Sequence, residues 1–201
     1  MQAIDFYFDF ASPYGYFMSE KIDALATTHG RRVTWRPILL FAALRALELP
    51  APMEHPVKRK YLTADFARSA RFLGVDYSLP AAFPALTQHA ARAFYLLDEK
   101  SPVTAVRFAQ NALRAYFQQG RNIADIDVIA EMVFEQTDVF GPAVAVRDHL
   151  KTDTAKAMLQ NAIAAAVEKN VFGSPFVVID DEPFFGVDRL PQIAQKLAAT
   201  A

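Results

Sequence analysis

The 201-residue chain contains no cysteine. Disulfide bonds, thiolate metal ligands, cysteine nucleophiles and dithiol redox chemistry are therefore excluded, and any thiol chemistry must use a thiol that the protein borrows. The chain also lacks an excess of one charge, since 22 Asp and Glu residues oppose 21 Lys and Arg residues for a net charge of -1. This balance gives no overall field that would attract nucleic acid or an anionic membrane.

Long hydrophobic runs are missing as well. No apolar stretch approaches the roughly 20 residues that cross a bilayer, and the N-terminus has none of the successive segments of a signal peptide. We therefore expect a cytoplasmic protein without a membrane or nucleic-acid partner. The four histidines share no ligand-like spacing, so we also expect no metal site. Hydrophobic residues nevertheless make up 53% of the chain, which is enough for the core of one domain.

The N-terminal segment predicts a β-α-β unit. Apolar and polar residues alternate from Ile4 to Phe10, which is typical of a strand. Ser12 followed by Pro13 is a helix-start signal, and the helix should continue to about His29. Residues 33–38 predict a second strand. A crossover of this length favours parallel strands with the helix packed on one face.

The C-terminal segment predicts a hairpin and a closing helix. Residues 176–179 have the composition of a strand, residues 180–182 that of an acidic turn, and residues 183–186 that of the returning strand. Asp188 would then cap a helix over 189–198.

The middle of the chain, from about residue 39 to residue 169, is almost without strand signals. Capping and stop residues predict helices there, over 57–73, from Pro84 to about 98, over 102–120, from Asp125, and from Thr152 or Asp153 to about 170. The sequence therefore predicts an α/β fold in the order β-α-β, helical insertion, β-β-α.

Ser12 is the first candidate for chemistry. Its predicted position places a hydroxyl among unpaired backbone N–H groups at the positive end of a helix dipole. A thiol presented there would be favoured as its nucleophilic thiolate. The alternative is that Ser12 only caps the helix. A serine hydrolase is disfavoured, because the Gly-x-Ser-x-Gly pattern is missing.

Two later segments are further candidates. A cis bond before Pro175 would leave the N–H and C=O of Ser174 free to pair with an extended, peptide-like ligand beside Ser12, whereas an ordinary trans proline would simply open the strand. The segment Phe185-Gly186-Val187-Asp188-Arg189 offers a glycine for close approach, helix-start amides for a carboxylate and Asp188 for an ammonium group. Its alternative interpretation is a helix cap with a surface ion pair.

Three segments together resemble the 2-hydroxychromene-2-carboxylate isomerase family, which is similar to kappa-class glutathione transferases and has the DsbA-like thioredoxin fold. They are Asp9-Phe10-Ala11-Ser12-Pro13-Tyr14, Asn170-Val171-Phe172-Gly173-Ser174-Pro175-Phe176 and Phe185-Gly186-Val187-Asp188-Arg189-Leu190. The resemblance covers almost the whole chain.

The resemblance implies a domain organisation and a cofactor. It implies one DsbA-like domain over 1–201, in which residues 1–40 and 170–201 form the thioredoxin-like part and residues 41–169 the helical insertion. It also implies bound glutathione, whose sulfur Ser12 would hold as the catalytic residue. Ser174 would pair with the tripeptide backbone beside a cis Pro175, and Phe185, Gly186, Val187 and Asp188 would contact the γ-glutamyl end.

The activity implied by the resemblance is a glutathione-dependent isomerisation in aromatic-hydrocarbon breakdown. A bicyclic hemiketal carboxylate is converted to an open-chain benzylidenepyruvate through reversible addition of the thiolate. The partners implied are a small aromatic substrate and a second copy of the chain in a homodimer.

The sequence departs from the family pattern near its substrate contacts. Glu48-Leu49 and Ala85-Leu86-Thr87 stand where relatives usually carry polar residues, and Gly15 stands where a second serine is common. We therefore expect a less polar substrate, with Leu49 and Leu86 replacing two polar contacts. The aromatic residues of the insertion, Phe41, Tyr61, Phe108 and Phe140, fit core packing better than a pocket.

Two alternatives to an isomerase stay open. One is a kappa-like transferase that conjugates glutathione to an electrophile. The other is a thioredoxin-fold protein that binds a peptide or partner at the proline edge without turnover. A dithiol oxidoreductase is excluded, because Ser12-Pro13-Tyr14-Gly15 occupies the active-site position.

Overall fold

The computed structural model describes residues 4–199 and centres on a four-stranded sheet. Its strands are β1 (Ile4–Phe8), β2 (Val33–Pro37), β3 (Phe176–Ile179) and β4 (Glu182–Phe185), arranged in the order β2-β1-β3-β4. β1 pairs in parallel with β2 and antiparallel with β3, and β3 pairs antiparallel with β4. The predicted α/β fold, with its parallel pair and its hairpin, is confirmed.

Helices surround the sheet and fill the segment between β2 and β3. In residues 4–199 they are α1 (Pro13–Ser19), α2 (Ile22–Thr28), α3 (Leu40–Ala46), α4 (Pro56–Leu73), α5 (Gln88–Asp98), α6 (Pro102–Phe117), α7 (Ile126–Phe134), α8 (Ala143–Lys151), α9 (Asp153–Glu168) and α10 (Leu190–Ala199). Helices α3 to α9 follow β2 without an intervening strand in this described part. The division at residues 41 and 169 stays a prediction.

The core lies on both faces of the sheet. Phe6 and Phe8 stack at 5.0 Å between ring centroids, and each meets the Trp35 ring edge to face at 5.1 and 5.4 Å. On the opposite face Tyr7 of β1 lies in a second buried cluster with Ala166 of α9. Each buried aromatic side chain contributes about 1.5–3 kcal/mol, so β1 is held as a rigid central strand.

The hairpin turn is shorter than predicted. Asp180 and Asp181 have φ of 50° and 65°, and Glu182 already belongs to β4. Two successive left-handed residues form the turn whose twist matches that of paired strands, and Asp tolerates this conformation.

The single helix expected from Pro13 to His29 is wrong, because the chain breaks between α1 and α2. The Ser19 hydroxyl donates to the carbonyl of Tyr16 at 2.7 Å, and the Glu20 N–H reaches the same carbonyl only at 3.3 Å. A serine that competes for a backbone acceptor favours such an interruption. Ser12 therefore caps a helix of seven residues rather than seventeen, and the helix dipole there is correspondingly smaller.

Other features of the helices also differ from expectation. α5 begins at Gln88 rather than after Pro84, which follows a cis peptide bond in the preceding loop. α3 and α8 were not predicted. Asp188 does not cap the last helix but lies within a short 3-10 turn, Val187–Arg189, ahead of α10.

Candidate functional site

A cavity of about 660 Å³ opens beside the segment that follows β1. It has the size that holds a drug-sized ligand. Six of the seven predicted site residues line it, namely Ser12, Ser174, Phe185, Gly186, Val187 and Asp188. Pro175 does not line the cavity, but it follows Ser174 directly.

Ser12 is the N-cap of α1 and is half-buried at the cavity. Its Oγ accepts a hydrogen bond from the N–H of Gly15 at 3.0 Å and donates to the carbonyl of Ser174 at 2.8 Å. A hydroxyl has one proton, so a ligand that needs this proton must take it from the Ser174 carbonyl. The local prediction of a cap is therefore confirmed, and the cap also faces the cavity.

Ser174 joins the two ends of the chain at this point. The Ser174–Pro175 bond is cis, as the resemblance implied. The Ser174 hydroxyl accepts from the Asp9 N–H at 2.9 Å. Its own N–H makes no hydrogen bond to another residue in the range 4–199, and its carbonyl keeps one lone pair beyond the Ser12 bond. Both backbone groups therefore have capacity for an extended ligand.

Asp9 is a site residue that the sequence reasoning missed. It is only 5% exposed, and its carboxylate accepts from the Ala11 N–H, the Thr87 hydroxyl and the Leu40 N–H at 2.9, 2.8 and 2.8 Å. Burial raises the pKa of Asp9 despite these three bonds, which favour the charged form. Asp9 thus fixes the Ser12 loop, the start of α3 and the start of α5 relative to one another.

Two glycines shape the cavity rim. A Cβ atom on Gly173 would lie 2.0 Å from a ring carbon of Phe185, so the Phe185 ring packs where any other side chain would begin. Gly186 has φ of 101°, which non-glycine residues rarely adopt, and a Cβ there would meet Asp188 Oδ1 at 2.5 Å. The Gly-x-Pro and Phe-Gly-x-Asp patterns therefore have a steric cause.

Asp188 and Arg189 form an ion pair at 2.6 Å at the mouth of the cavity. Arg189 also donates to the side-chain oxygen of Gln192 at 3.2 Å. The Asp188 side chain is 68% exposed, so the pair contributes little and can exchange for a ligand.

Tyr14 and Asp65 contribute a second polar pair to the wall. The Tyr14 hydroxyl donates to the Asp65 carboxylate at 2.5 Å. Burial, and then this bond, raise the pKa of Tyr14, so its hydroxyl stays neutral. Burial also acts to raise the pKa of Asp65, but hydrogen bonds from Tyr14, Ser69 and Arg68 outweigh it and hold that pKa below its usual value.

The rest of the wall is apolar and comes largely from α3, α4 and the loops around them. Its side chains include Phe41, Leu44, Met53, Leu62, Phe66 and Phe83. Phe41 therefore lines the cavity rather than the core, whereas Phe108 is fully buried as expected.

Leu49 and Leu86 do not line the cavity, and Leu86 is 70% exposed. The expectation that these two leucines replace substrate contacts is wrong, because their loops turn other side chains inward. Among residues 4–199, no three His, Asp or Glu side chains form a group that could hold a metal ion. None of the helices in that range is both long and apolar enough to cross a membrane.

The fold defines a thioredoxin-like protein, in which Ser12 caps the first helix at the cavity. The DSBA-like thioredoxin domain model matches residues 3–198, and the chain belongs to this family. The chain shares 29% identity over 191 residues with a 2-hydroxychromene-2-carboxylate isomerase of Sphingobium xenophagum, with 94% of each chain covered. It shares 26% over 211 residues with glutathione S-transferase kappa 2 of Caenorhabditis elegans, covering 98% of this chain and 92% of the relative.

Solved structures agree on the fold. A 2-hydroxychromene-2-carboxylate isomerase superposes with a TM-score of 0.84 at 24% identity, covering 99% of this chain and 96% of the other. The cytosolic disulfide reductase DsbM of Pseudomonas aeruginosa, solved with GSH, superposes with a TM-score of 0.68 at 16% identity, covering 99% and 98%. The resemblance to the isomerase family and its kappa-class relatives is confirmed.

Proposed function

We propose that this protein is a glutathione-dependent isomerase of the 2-hydroxychromene-2-carboxylate isomerase type, acting on an intermediate of aromatic-compound breakdown. The observation that carries the proposal is the Ser12 hydroxyl, which lies at a ligand-sized cavity in a chain without cysteine. The names of the relatives, isomerase and kappa-class transferase, support the same class of chemistry.

The residues present fit a bound glutathione. The unpartnered Ser174 N–H and the spare lone pair of its carbonyl match the donors and acceptors of a peptide backbone. The glycine at 186 keeps the rim open beside Asp188, whose exposed carboxylate suits an ammonium group. Ser12 would hold the sulfur, and Phe185, Gly186, Val187 and Asp188 the γ-glutamyl end.

When bound, glutathione would supply a thiolate that adds reversibly to a conjugated carbon, so that the bond beside it can rotate before the thiolate leaves. The chain's own part is to favour that thiolate. An ordinary thiol has a pKa of about 8.5, so its full ionisation at pH 7 costs about 2 kcal/mol. A hydrogen bond from Ser12 to a charged acceptor contributes about 1.5–3 kcal/mol, which offsets this cost.

Calorimetric titration of the purified protein with glutathione tests the proposal. We expect saturable binding that weakens in Ser12→Ala. Absence of binding by the wild type removes the proposal. If the function of the Ser12→Ala variant equals that of the wild type, the result would instead support a binding protein without turnover.

A kappa-like transferase is the second candidate, and the apolar wall of α3 and α4 favours it. A conjugating enzyme needs room for a hydrophobic electrophile but no group that reverses the addition. Following glutathione over time separates the two, since an isomerase regenerates it and a transferase consumes it.

We also propose that the protein works in the cytoplasm, where glutathione is kept reduced. We propose a homodimer, by analogy with the family it resembles. Sedimentation of the purified protein tests the proposed homodimer.

A further inference from the structure

We propose that the second substrate at this cavity is an uncharged, planar aromatic electrophile and not a carboxylate. This inference rests on the glutathione-dependent function proposed above and concerns the part of the cavity that α3 and α4 enclose. It departs from the substrate after which the isomerase relatives are named, which is a carboxylate.

The charges around the cavity are the first argument. Its lining contains three carboxylates, Asp9, Asp65 and Asp188, and one cation, Arg189. Arg189 lies beside Asp188 at the rim that the proposed γ-glutamyl end would use, so bound glutathione rather than the second substrate would occupy it. Asp65 is already paired with Arg68 at 3.0 Å, and Arg68 does not line the cavity, so a substrate carboxylate beside this wall would find no cation to compensate its charge.

The neutral polar groups on the wall are the second argument, because they are already engaged. The Tyr14 hydroxyl and the Ser69 hydroxyl both give their protons to Asp65. Neither is available to stabilise a substrate carboxylate without leaving the Asp65 carboxylate short of a donor.

One basic residue close to this wall belongs to a different cavity. Arg59 lines a neighbouring cavity of about 600 Å³, which shares Phe41, Met53 and Phe83 with the first. The Arg59 Nε donates to the Met53 carbonyl at 3.1 Å, and Glu54 lines the same neighbouring cavity. Arg59 therefore does not line the proposed site.

The shape of the wall favours a flat ring. Phe66 meets Phe83 at 5.9 Å between ring centroids and Tyr14 at 5.0 Å, with interplanar angles of 74° and 70°. Rings at such angles present both faces and edges to the cavity, and a planar aromatic ligand packs against both. Met53 and Leu62 add flexible apolar contacts.

The test compares methyl cinnamate with cinnamate, which share a ring and a conjugated carbonyl but differ in charge. Each is titrated into the glutathione-loaded protein by calorimetry at neutral pH. The additional methyl group accounts for about fourfold in affinity. We expect the ester to bind at least about tenfold more tightly than the acid, since the acid loses solvation without gaining a partner.

Two lysine variants make the comparison specific. Phe41→Lys places a cation on the cavity wall at a half-exposed position, and Phe72→Lys adds the same charge on α4 at a residue that is 88% exposed and does not line the cavity. Phe41→Lys should reverse the preference toward the acid, and Phe72→Lys should leave it unchanged.

The outcomes separate this inference from the function on which it rests. Glutathione binding together with acid affinity equal to or above that of the ester in the wild type overturns the inference and leaves the proposed function standing. Acid affinity that disappears in Arg59→Gln also overturns it, because the carboxylate would then be bound through Arg59. Failure of glutathione to bind overturns both.

Discussion

Replacing Ser12 by alanine removes two hydrogen bonds whose contributions can be worked out separately. The cap bond from the Gly15 N–H contributes about 1 kcal/mol, and the bond to the Ser174 carbonyl contributes about 0.5–1.5 kcal/mol. The free energy of unfolding should therefore fall by about 1.5–2.5 kcal/mol. For a domain of this size, the melting temperature falls by about 3–10 °C.

The loss of glutathione affinity in Ser12→Ala should be larger than the loss of folding stability alone explains. A hydrogen bond to a thiolate contributes about 1.5–3 kcal/mol. In the free protein, however, the Ser12 proton already bonds the Ser174 carbonyl at 2.8 Å, and binding must exchange one acceptor for the other. The net gain in binding free energy therefore lies at the lower end of this range of about 1.5–3 kcal/mol. Ser12→Ala should accordingly weaken glutathione binding about tenfold.

A matched control is available in the same chain. Ser101 precedes Pro102 and caps α6 through a bond from the Thr104 N–H at 3.3 Å, but it does not line the cavity. Ser101→Ala should lower the melting temperature by about 2–4 °C and leave glutathione affinity unchanged. Glutathione is titrated into each variant by calorimetry at a temperature well below the melting temperatures of both. A glutathione affinity for Ser12→Ala within threefold of the wild type would refute the reasoning.

Three further predictions concern the groups around Ser12. Gly173→Ala should displace the Phe185 ring, lower stability by about 1–3 kcal/mol and weaken glutathione binding, and a calorimetric affinity equal to that of the wild type would contradict the rim assignment. Thr87→Val removes a donor to Asp9 and should cost about 1.5–3 kcal/mol in urea unfolding at pH 7. The pKa of Asp9 is already raised in the folded protein, and loss of the Thr87 donor should raise it further. The difference in stability between variant and wild type should therefore shrink as the pH falls and Asp9 becomes protonated. A difference that stays constant with pH would contradict this role of Thr87. The pKa of Asp65 is lowered in the folded state, so its stabilisation is present above its unfolded pKa of about 3.9 and is lost as the pH falls. The melting temperature of Asp65→Asn should therefore depend less on pH between about 5 and 3 than that of the wild type. Equal pH dependence of the two melting temperatures would exclude this role of Asp65.

The parts of the fold that the sequence predicted are those with local causes. Alternation from Ile4 onward marks β1, Ser-Pro pairs mark the starts of α1 and α6, and two successive Asp residues mark the hairpin turn. In each case neighbouring residues determine the backbone conformation, so a few consecutive residues of the sequence are enough to predict it.

The parts that escaped prediction depend on contacts between distant residues. The start of α3 has no side-chain cap of its own, and Asp9, 31 residues earlier, accepts from its Leu40 N–H. The same carboxylate binds Thr87, 78 residues later, where α5 begins. The apolar position of Phe41 on the cavity wall follows from this arrangement. No local window contains either partner of these bonds, so the candidate residues were predicted but the wall that completes the site was not.

The most direct measurement of the central claim is the pKa of the glutathione thiol in the complex, obtained from the ultraviolet absorbance of the thiolate across a pH titration. The free thiol has a pKa of about 8.5, and a net gain of about 1.5 kcal/mol from the Ser12 hydrogen bond corresponds to a bound value of about 7.4. The account predicts such a lowered value in the wild type and its return toward that of free glutathione in Ser12→Ala. A bound thiol whose pKa equals or exceeds that of free glutathione in the wild type would contradict it.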